Sequence, residues 1–411
     1  MNYSSEARHS HALTAEVARL ARQHAPILLC DAREPFRPQT IGITRLTAGE
    51  QSPSCRHTPP APEGTVHVLE YAIWWDGDIQ HLYELEHVWV ALNADGVALG
   101  VCASAHGGLF DMSQAAREDG RVVLYCEPGK HAHSADAAAI LARRQALDHA
   151  CQSGEDLRGI MINDMFCDAL AFLSPYDQFL GRAYLKSLCF APTYDFSLRF
   201  DLAQMRFASW SELANHVPVF IRDQLEQLRA NRKGVKAVFL DSGATLIDEA
   251  SQVFCQAEAD LVLSAAALDG GDRLVGELKA RGYVVALVAD GREQSFRNVH
   301  SALGFWDLFD ARAISEVCGV AKPEPLIFRD AMLKLGLRDE DAAGIVMFGN
   351  NIKRDIRGAN ALGLTSVWID RQDGYDKSLV CAEDKPDFVV HAPLELLSVI
   401  DRIEAAAGNA G

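Results

Sequence analysis

The chain of 411 residues is too long for one hydrophobic core and suits two domains. With 49% hydrophobic and 23% charged residues both halves should be globular, and a formal net charge of −17 without any clustered Lys/Arg run excludes a nucleic-acid partner. Ten cysteines stand singly between Cys30 and Cys381, which excludes a disulfide framework; the polar start, Met1 to His9, is unlike a signal peptide, no apolar stretch is membrane-length, and the expectation is a cytoplasmic protein.

Residues 14–24 place Val17, Leu20 and Ala21 on one side, the pattern of a helix. Residues 26–30 read as a short strand, the run Glu34-Pro-Phe-Arg-Pro38 breaks any helix, and residues 51–64 are a proline-rich loop. From 66 to 126 the character is β. Strand-like runs at 66–75, 88–92, 97–102 and 121–126 are separated by Asp-Gly turns at Asp76-Gly77, Asp95-Gly96 and Asp119-Gly120. The spacing predicts an antiparallel meander or sandwich rather than a second parallel sheet.

Within this half the segment Asp76-Gly-Asp78-Ile-Gln-His81-Leu-Tyr-Glu84-Leu-Glu86-His87-Val-Trp89 concentrates carboxylates and a histidine, an oxygen-rich set for a divalent ion. Along a strand Glu84 and Glu86 share a face and His81 takes the other, so the three converge only if the chain turns near Leu82. The bland alternative is a solvated strand face beside a capped turn. His106, His131 and His133 follow strands next to small residues and could complete such a site or serve as hydrogen-bonding turn residues. The spacing His-x-x-Glu-x-Glu-His-Val, with Ser104-Ala-His106-Gly-Gly108 and Lys130-His131-Ala132 after it, resembles the motif region of necrosis- and ethylene-inducing peptide-like proteins and related vacuolar-sorting-type domains. That resemblance implies a β-sandwich and a second divalent cation held by His81, Glu84 and Glu86; His106 is a further candidate from the residues themselves. The motif's glycine, arginine and tryptophan are absent here, and the secreted, membrane-acting habit of those relatives is not expected of this chain.

Residues 135–150 are Ala-rich without Gly or Pro and predict a helix. The segment 159–207 is rich in Phe and Tyr and is expected to pack inside and against the second domain. A helix over 210–230 starts after Ser209 as N-cap, with Pro218 expected to bend or split it. The polar run Asn231-Arg-Lys-Gly234 marks a boundary, giving an N-terminal β-sandwich-like domain at 1–232 with a helical extension and a second domain at 233–408.

The second domain alternates strands, beginning near 236, 283, 311, 345, 365 and 388, with helices, the signature of right-handed crossovers and a doubly wound parallel sheet; its fold class is α/β. In Lys236-Ala-Val-Phe-Leu-Asp241-Ser-Gly-Ala-Thr-Leu246 a buried-strand run delivers Asp241 into a loop carrying Gly243 and Thr245. Three later runs repeat the pattern: Val284-Val-Ala-Leu-Val-Ala289-Asp290-Gly291, Gly319-Val-Ala-Lys322-Pro-Glu-Pro325 and Ile345-Val-Met-Phe-Gly-Asn350-Asn-Ile-Lys-Arg-Asp355. In order and spacing these resemble the four motifs of the haloacid dehalogenase-like hydrolase superfamily over about 170 residues. The resemblance implies a magnesium-dependent hydrolase, above all a phosphatase of small phosphate esters. Asp241 would then be the nucleophile that forms an aspartyl-phosphate, and Lys322 the charge clamp. Gly243, Thr245, Ala289, Asp290 and Gly291 would lie around the phosphoryl group, and Asp241, Asn350 and Asp355 around Mg2+.

Three departures stand against that pattern. Gly243 replaces the usual second aspartate, Ala289 the usual serine or threonine, and Asn350 the usual aspartate. Two other readings stay open on this account: a degenerate binding or scaffold protein, and a 2-haloacid dehalogenase, whose family members also lack the second aspartate. Only about 40 residues separate Thr245 from Tyr283, too few for a large helical cap.

Overall fold

A computed structural model describes residues 13–371 and 374–408; the polar N-terminal stretch lies outside the described residues. The chain divides into two compact units. The first comprises Met1–Ala171 and Gly181–Gln227, the second Phe172–Leu180 and Leu228–Gly411.

The first unit holds two sheets. In the larger, Pro38–Thr47, His67–Trp75, Glu84–Leu92, Ala98–Ala105 and Gly108–Asp111 run antiparallel in sequence order, and Phe207–Ser209 joins the Pro38–Thr47 edge in parallel. The other orders Leu198–Asp201, Ile27–Cys30, Arg121–Cys126 and Arg117–Glu118, with His133–Ser134 beside Arg121–Cys126. Alternate residues Ile41 and Ile43, Tyr71, Ile73 and Trp75, and Val88 and Val90 share one buried core with Leu28 and Leu124. At Asp119-Gly120 both residues have positive φ (49° and 79°), the geometry a two-residue hairpin needs, so the turn read from sequence forms there.

Several elements differ from the sequence expectation, among them a helix at Pro175–Ser187 and strands at Gly108–Asp111 and Leu198–Asp201. Pro38–Thr47 is a ten-residue strand where none was predicted. The helix over 135–150 is interrupted, giving Ala137–Leu141 and Arg144–Ser153, with Arg143 between them turned onto Glu127. Trp210–Asn231 stays one helix in spite of Pro218. Leu213, Val217, Ile221 and Leu225 are buried along it, and that packing outweighs a single missing backbone hydrogen bond. Its start is a reciprocal cap: the Glu212 amide donates to Ser209 Oγ (3.3 Å), and the Ser209 amide to Glu212 Oε2 (2.8 Å).

The second unit is built on a six-stranded, wholly parallel sheet in the order Ala311–Ile314, Val285–Ala289, Ala237–Leu240, Ile345–Gly349, Thr365–Ile369, Phe388–Val390. The central strands are buried throughout, as continuous apolar runs require. The order reverses between Ala237–Leu240 and Ile345–Gly349, so a crevice opens at the carboxyl ends of those two strands. After the first of them comes only a small ribbon, Val253–Phe254 with Val262–Ser264, in place of a large cap. Within this unit Arg229 is buried and reaches Asp341 (2.8 Å), Asp177 (3.2 Å) and the Gly336 carbonyl (3.1 Å), which ties the Phe172–Leu180 segment to it.

Candidate active site

The Ala237–Leu240 strand ends by presenting Asp241, whose amide donates to the Phe348 carbonyl of the neighbouring strand (2.9 Å). The chain then folds back tightly. The Leu246 and Ile247 amides both donate to the Ser242 carbonyl (2.8 and 3.0 Å), Ala244 adopts a positive φ of 51°, and Thr245 Oγ1 donates to Asp241 Oδ2 (3.0 Å). Ser242 is anchored by His300 Nε2 (2.9 Å), which lies among Phe296, Phe305, Trp306 and Phe309; burial pushes this imidazole down to about 3.

Lys322 enters from the loop that precedes Pro325–Leu335. Its Nζ donates to Asp241 Oδ1 (2.7 Å), Asp355 Oδ1 (2.6 Å) and the Val288 carbonyl (2.9 Å), and its amide donates to Asp290 Oδ1 (2.9 Å). Asp355 sits one turn past the Ile345–Gly349 strand, where its Oδ2 accepts from the Asn351 amide (2.9 Å). The absence of a side chain at Gly349 is required, because a Cβ there would run into the Asp355 carboxylate. Asn350 is placed by its carbonyl, which accepts from Trp368 Nε1 (2.8 Å). Asp241, Gly243, Asp290, Gly291, Lys322, Asn350 and Asp355 all line one cavity of about 260 Å³.

Residues 193–363 match the family model for haloacid dehalogenase-like hydrolases. This region belongs to that family. Over 124 residues the chain is 36% identical to glyceraldehyde 3-phosphate phosphatase of Methanopyrus kandleri, covering 30% of this chain and 52% of that protein. It is 34% identical over 100 residues to phosphoserine phosphatase of Thermus thermophilus (24% and 39% covered) and 31% identical over 134 residues to (S)-2-haloacid dehalogenase of Pseudomonas sp. strain YL (33% and 53%). The chain thus spans about half or less of the length of these relatives. The resemblance of the β half to the necrosis- and ethylene-inducing proteins finds no support among such matches.

In the haloacid dehalogenase-like domain the site is crowded with acid. Burial works against the Lys322 charge, but Asp241, Asp355 and Asp290 hold its pKa above the ordinary lysine range. Burial, with the Asp241 charge adding to it, pushes Asp355 up to about 7 against the pull of Lys322. One ammonium between two buried carboxylates leaves a deficit of positive charge. A hard divalent cation fits that deficit: Asp241, Asp355 and the Asn350 amide offer the oxygen donors magnesium prefers. Among the described residues no three His, Cys, Asp or Glu side chains converge as a metal site, so Asn350 and backbone or water oxygens would complete the set.

Two of the residues expected around the phosphoryl group stand back from the cavity. Thr245 and Ala289 are buried, Thr245 spending its hydroxyl on Asp241 and Ala289 closing the Val285–Ala289 strand; neither is among the lining residues. Conversely, Glu249, Arg292, Arg354 and Tyr375 line it without having been singled out from the sequence. Glu249 lies in a short turn capped by the Asp248 side chain and Tyr375 in coil, whereas Arg292 stands at the start of the Glu293–Ala302 helix and Arg354 within the helical turn Ile352–Ile356.

The second predicted site is not brought together. His81 pairs with Asp78 (3.2 Å), which also takes Lys130 (2.9 Å); Glu84 pairs with His131 (2.6 Å); Glu86 accepts from Ser104; and His106 pairs with Glu127 (2.7 Å), itself bound by Arg143. Glu84 and Glu86 do leave the same strand, but each meets a partner from a different element, and His81 lies in a turn before the strand begins. His133 is buried with its Nδ1 on the Ser104 carbonyl (3.2 Å). His131 is stacked on Trp75 (3.8 Å, 5°), and although burial opposes its charge, Glu34 and Glu84 raise its pKa. These groups are spent on separate ion pairs and hydrogen bonds, buried at Asp78 and His131 and open to solvent at His106.

Proposed function

We propose that the second unit is a magnesium-dependent phosphatase of small phosphate esters that works through an aspartyl-phosphate on Asp241. The observation that carries this reading is Lys322 Nζ lying within 2.7 Å of Asp241 and 2.6 Å of Asp355 at the switch point of the parallel sheet. Phosphoryl transfer depends chiefly on positioning and neutralisation of charge. Thr245 orients Asp241 by donating to Oδ2, and Lys322 holds Oδ1, the oxygen that would attack. Lys322 offsets the charge of nucleophile and incoming phosphoryl group, and Arg354, 3.5 Å from Asp290, adds a second cation to the cavity wall. Magnesium held by Asp241, Asn350 and Asp355 would supply further charge neutralisation for the phosphoryl oxygens. The relatives named as phosphatases support this class of substrate.

Gly243 and the similarity to a 2-haloacid dehalogenase favour one rival, carbon–halogen displacement by the same aspartate. Purified protein is assayed on a panel of phosphate esters with and without magnesium, and on 2-chloropropionate for chloride, beside Asp241→Asn. The expected result is magnesium-dependent phosphate release that Asp241→Asn loses. Chloride release with inert phosphate esters would replace the phosphatase by the dehalogenase, and equal phosphate release from both proteins would remove Asp241 from the chemistry.

A further inference from the structure

Gly243 has no side chain, yet the space beside it is filled. A Cβ on Gly243 would collide with Glu249 Oε1 and lie 3.0 Å from Glu249 Cδ. Glu249 opens the short Glu249–Ser251 turn, whose start is fixed by Asp248 accepting from the Ala250 amide (3.1 Å). Local chain geometry therefore sends the carboxylate back over the nucleophile loop. The Tyr375 hydroxyl approaches the two Glu249 oxygens at 3.3 and 3.4 Å, and both residues line the cavity that holds Asp241 and Lys322. Burial first, then the charges of Glu249 and Asp241, push the Tyr375 phenol up to about 12. It keeps its proton at neutral pH and donates it to Glu249.

We infer that Glu249 is the proton carrier of the reaction, a carboxyl supplied from outside the nucleophile loop to the place that Gly243 leaves open, and that Tyr375 positions it. The inference rests on the phosphatase reading above. As Asp241 attacks phosphorus and the bond from phosphorus to the ester oxygen breaks, protonated Glu249 gives its proton to that oxygen; an alcohol leaves and Glu249 becomes a carboxylate. Water then attacks phosphorus of the aspartyl-phosphate and passes one proton to Glu249. The bond from phosphorus to the Asp241 oxygen breaks, which releases inorganic phosphate and restores both side chains.

The test compares leaving groups of different basicity. Nitrophenolate departs without a proton, whereas an alkoxide does not. For Glu249→Gln, phosphate release from glycerol phosphate should fall about a hundredfold or more, the ordinary worth of a general acid. With p-nitrophenyl phosphate the first turnover should fall less than tenfold and appear as a burst of about one nitrophenolate per enzyme before a slow steady state, because hydrolysis of the intermediate still lacks its base. Moving the carboxyl back, in Gly243→Asp combined with Glu249→Ala, should recover at least tenfold of the glycerol phosphate activity relative to Glu249→Ala alone. Equal first-turnover losses on both esters, no loss on either, or no recovery in the double variant overturn the assignment of Glu249 while Asp241-dependent turnover of the natural chain stands. Absence of any Asp241-dependent phosphate release from the natural chain overturns the phosphatase reading, and this inference with it.

Discussion

Replacing Lys322 by Met probes the site through stability rather than rate. The Nζ is buried and shared between Asp241 (2.7 Å), Asp355 (2.6 Å) and the Val288 carbonyl (2.9 Å), so its removal strands two neighbouring carboxylates that have little access to water. Breaking a buried pair in this way costs about 3–5 kcal/mol. For a domain of this size that lowers the unfolding midpoint by roughly 6–20 °C. The cost depends on pH. Asp355 already holds a proton to about pH 7, and without the ammonium it holds one to higher pH still. Protonation removes the repulsion, so the variant should be least destabilised in mild acid and most at pH 8 and above. Added magnesium should recover part of the loss at high pH by taking over the neutralising charge. Thermal unfolding of both proteins at pH 5.5 and 8.5, with chelator and with magnesium, reads all three effects. A variant within about 1 kcal/mol of the natural protein at pH 8.5 would refute the reasoning, because the two carboxylates would then not depend on Lys322 for compensation.

Glu86 is buried, and burial pushes its carboxyl up to about 7 against the help of Ser104. The folded state thus keeps a proton that the unfolded chain has released, and the stability this contributes is full below about pH 4.5 and lost as pH rises through 7; the swing is worth about 3 kcal/mol. Glu86→Gln should flatten that decline in urea unfolding between pH 5 and 8, and an unchanged pH slope would count against it. Arg229→Met should lower the unfolding midpoint of the second unit by an amount corresponding to about 3–5 kcal/mol, since Asp177 and Asp341 both lose a buried partner. Lys236→Met should cost less, because Arg229 would remain on Asp341, and the reverse ranking in calorimetry would show that the pairs are misassigned.

The parallel sheet could be read directly because strands buried on both faces are continuous apolar runs; Asp241 stands out because it ends such a run, whereas Lys322 and Asp355 came into view only through the resemblance of their motifs. The Pro38–Thr47 strand escaped for the opposite reason. It too is buried on nearly all sides, but Thr40, Gly42 and Thr44 alternate with Ile41 and Ile43, so no apolar run stands out. Glu249 and Tyr375 were invisible because coil residues far apart in the chain meet through turn geometry, which no local pattern encodes. The acids at 84 and 86 were correctly seen to share a strand face, yet what they pair with is decided by Ser104 and His131 on other elements. Spacing along one strand reports direction, and partnership is a property of the whole sheet.

The tether between Ser242 and His300 bears on how any pH profile of this domain is to be interpreted. An imidazole in an aromatic surround, pushed down to about 3, stays neutral at every pH at which the protein would be assayed. The residue beside Asp241 is therefore held by an uncharged strut whose strength does not vary across the working range. An inflection measured in turnover near neutrality then does not come from this tether, and the backbone that aims the nucleophile serves as a fixed reference against which other titrations can be read.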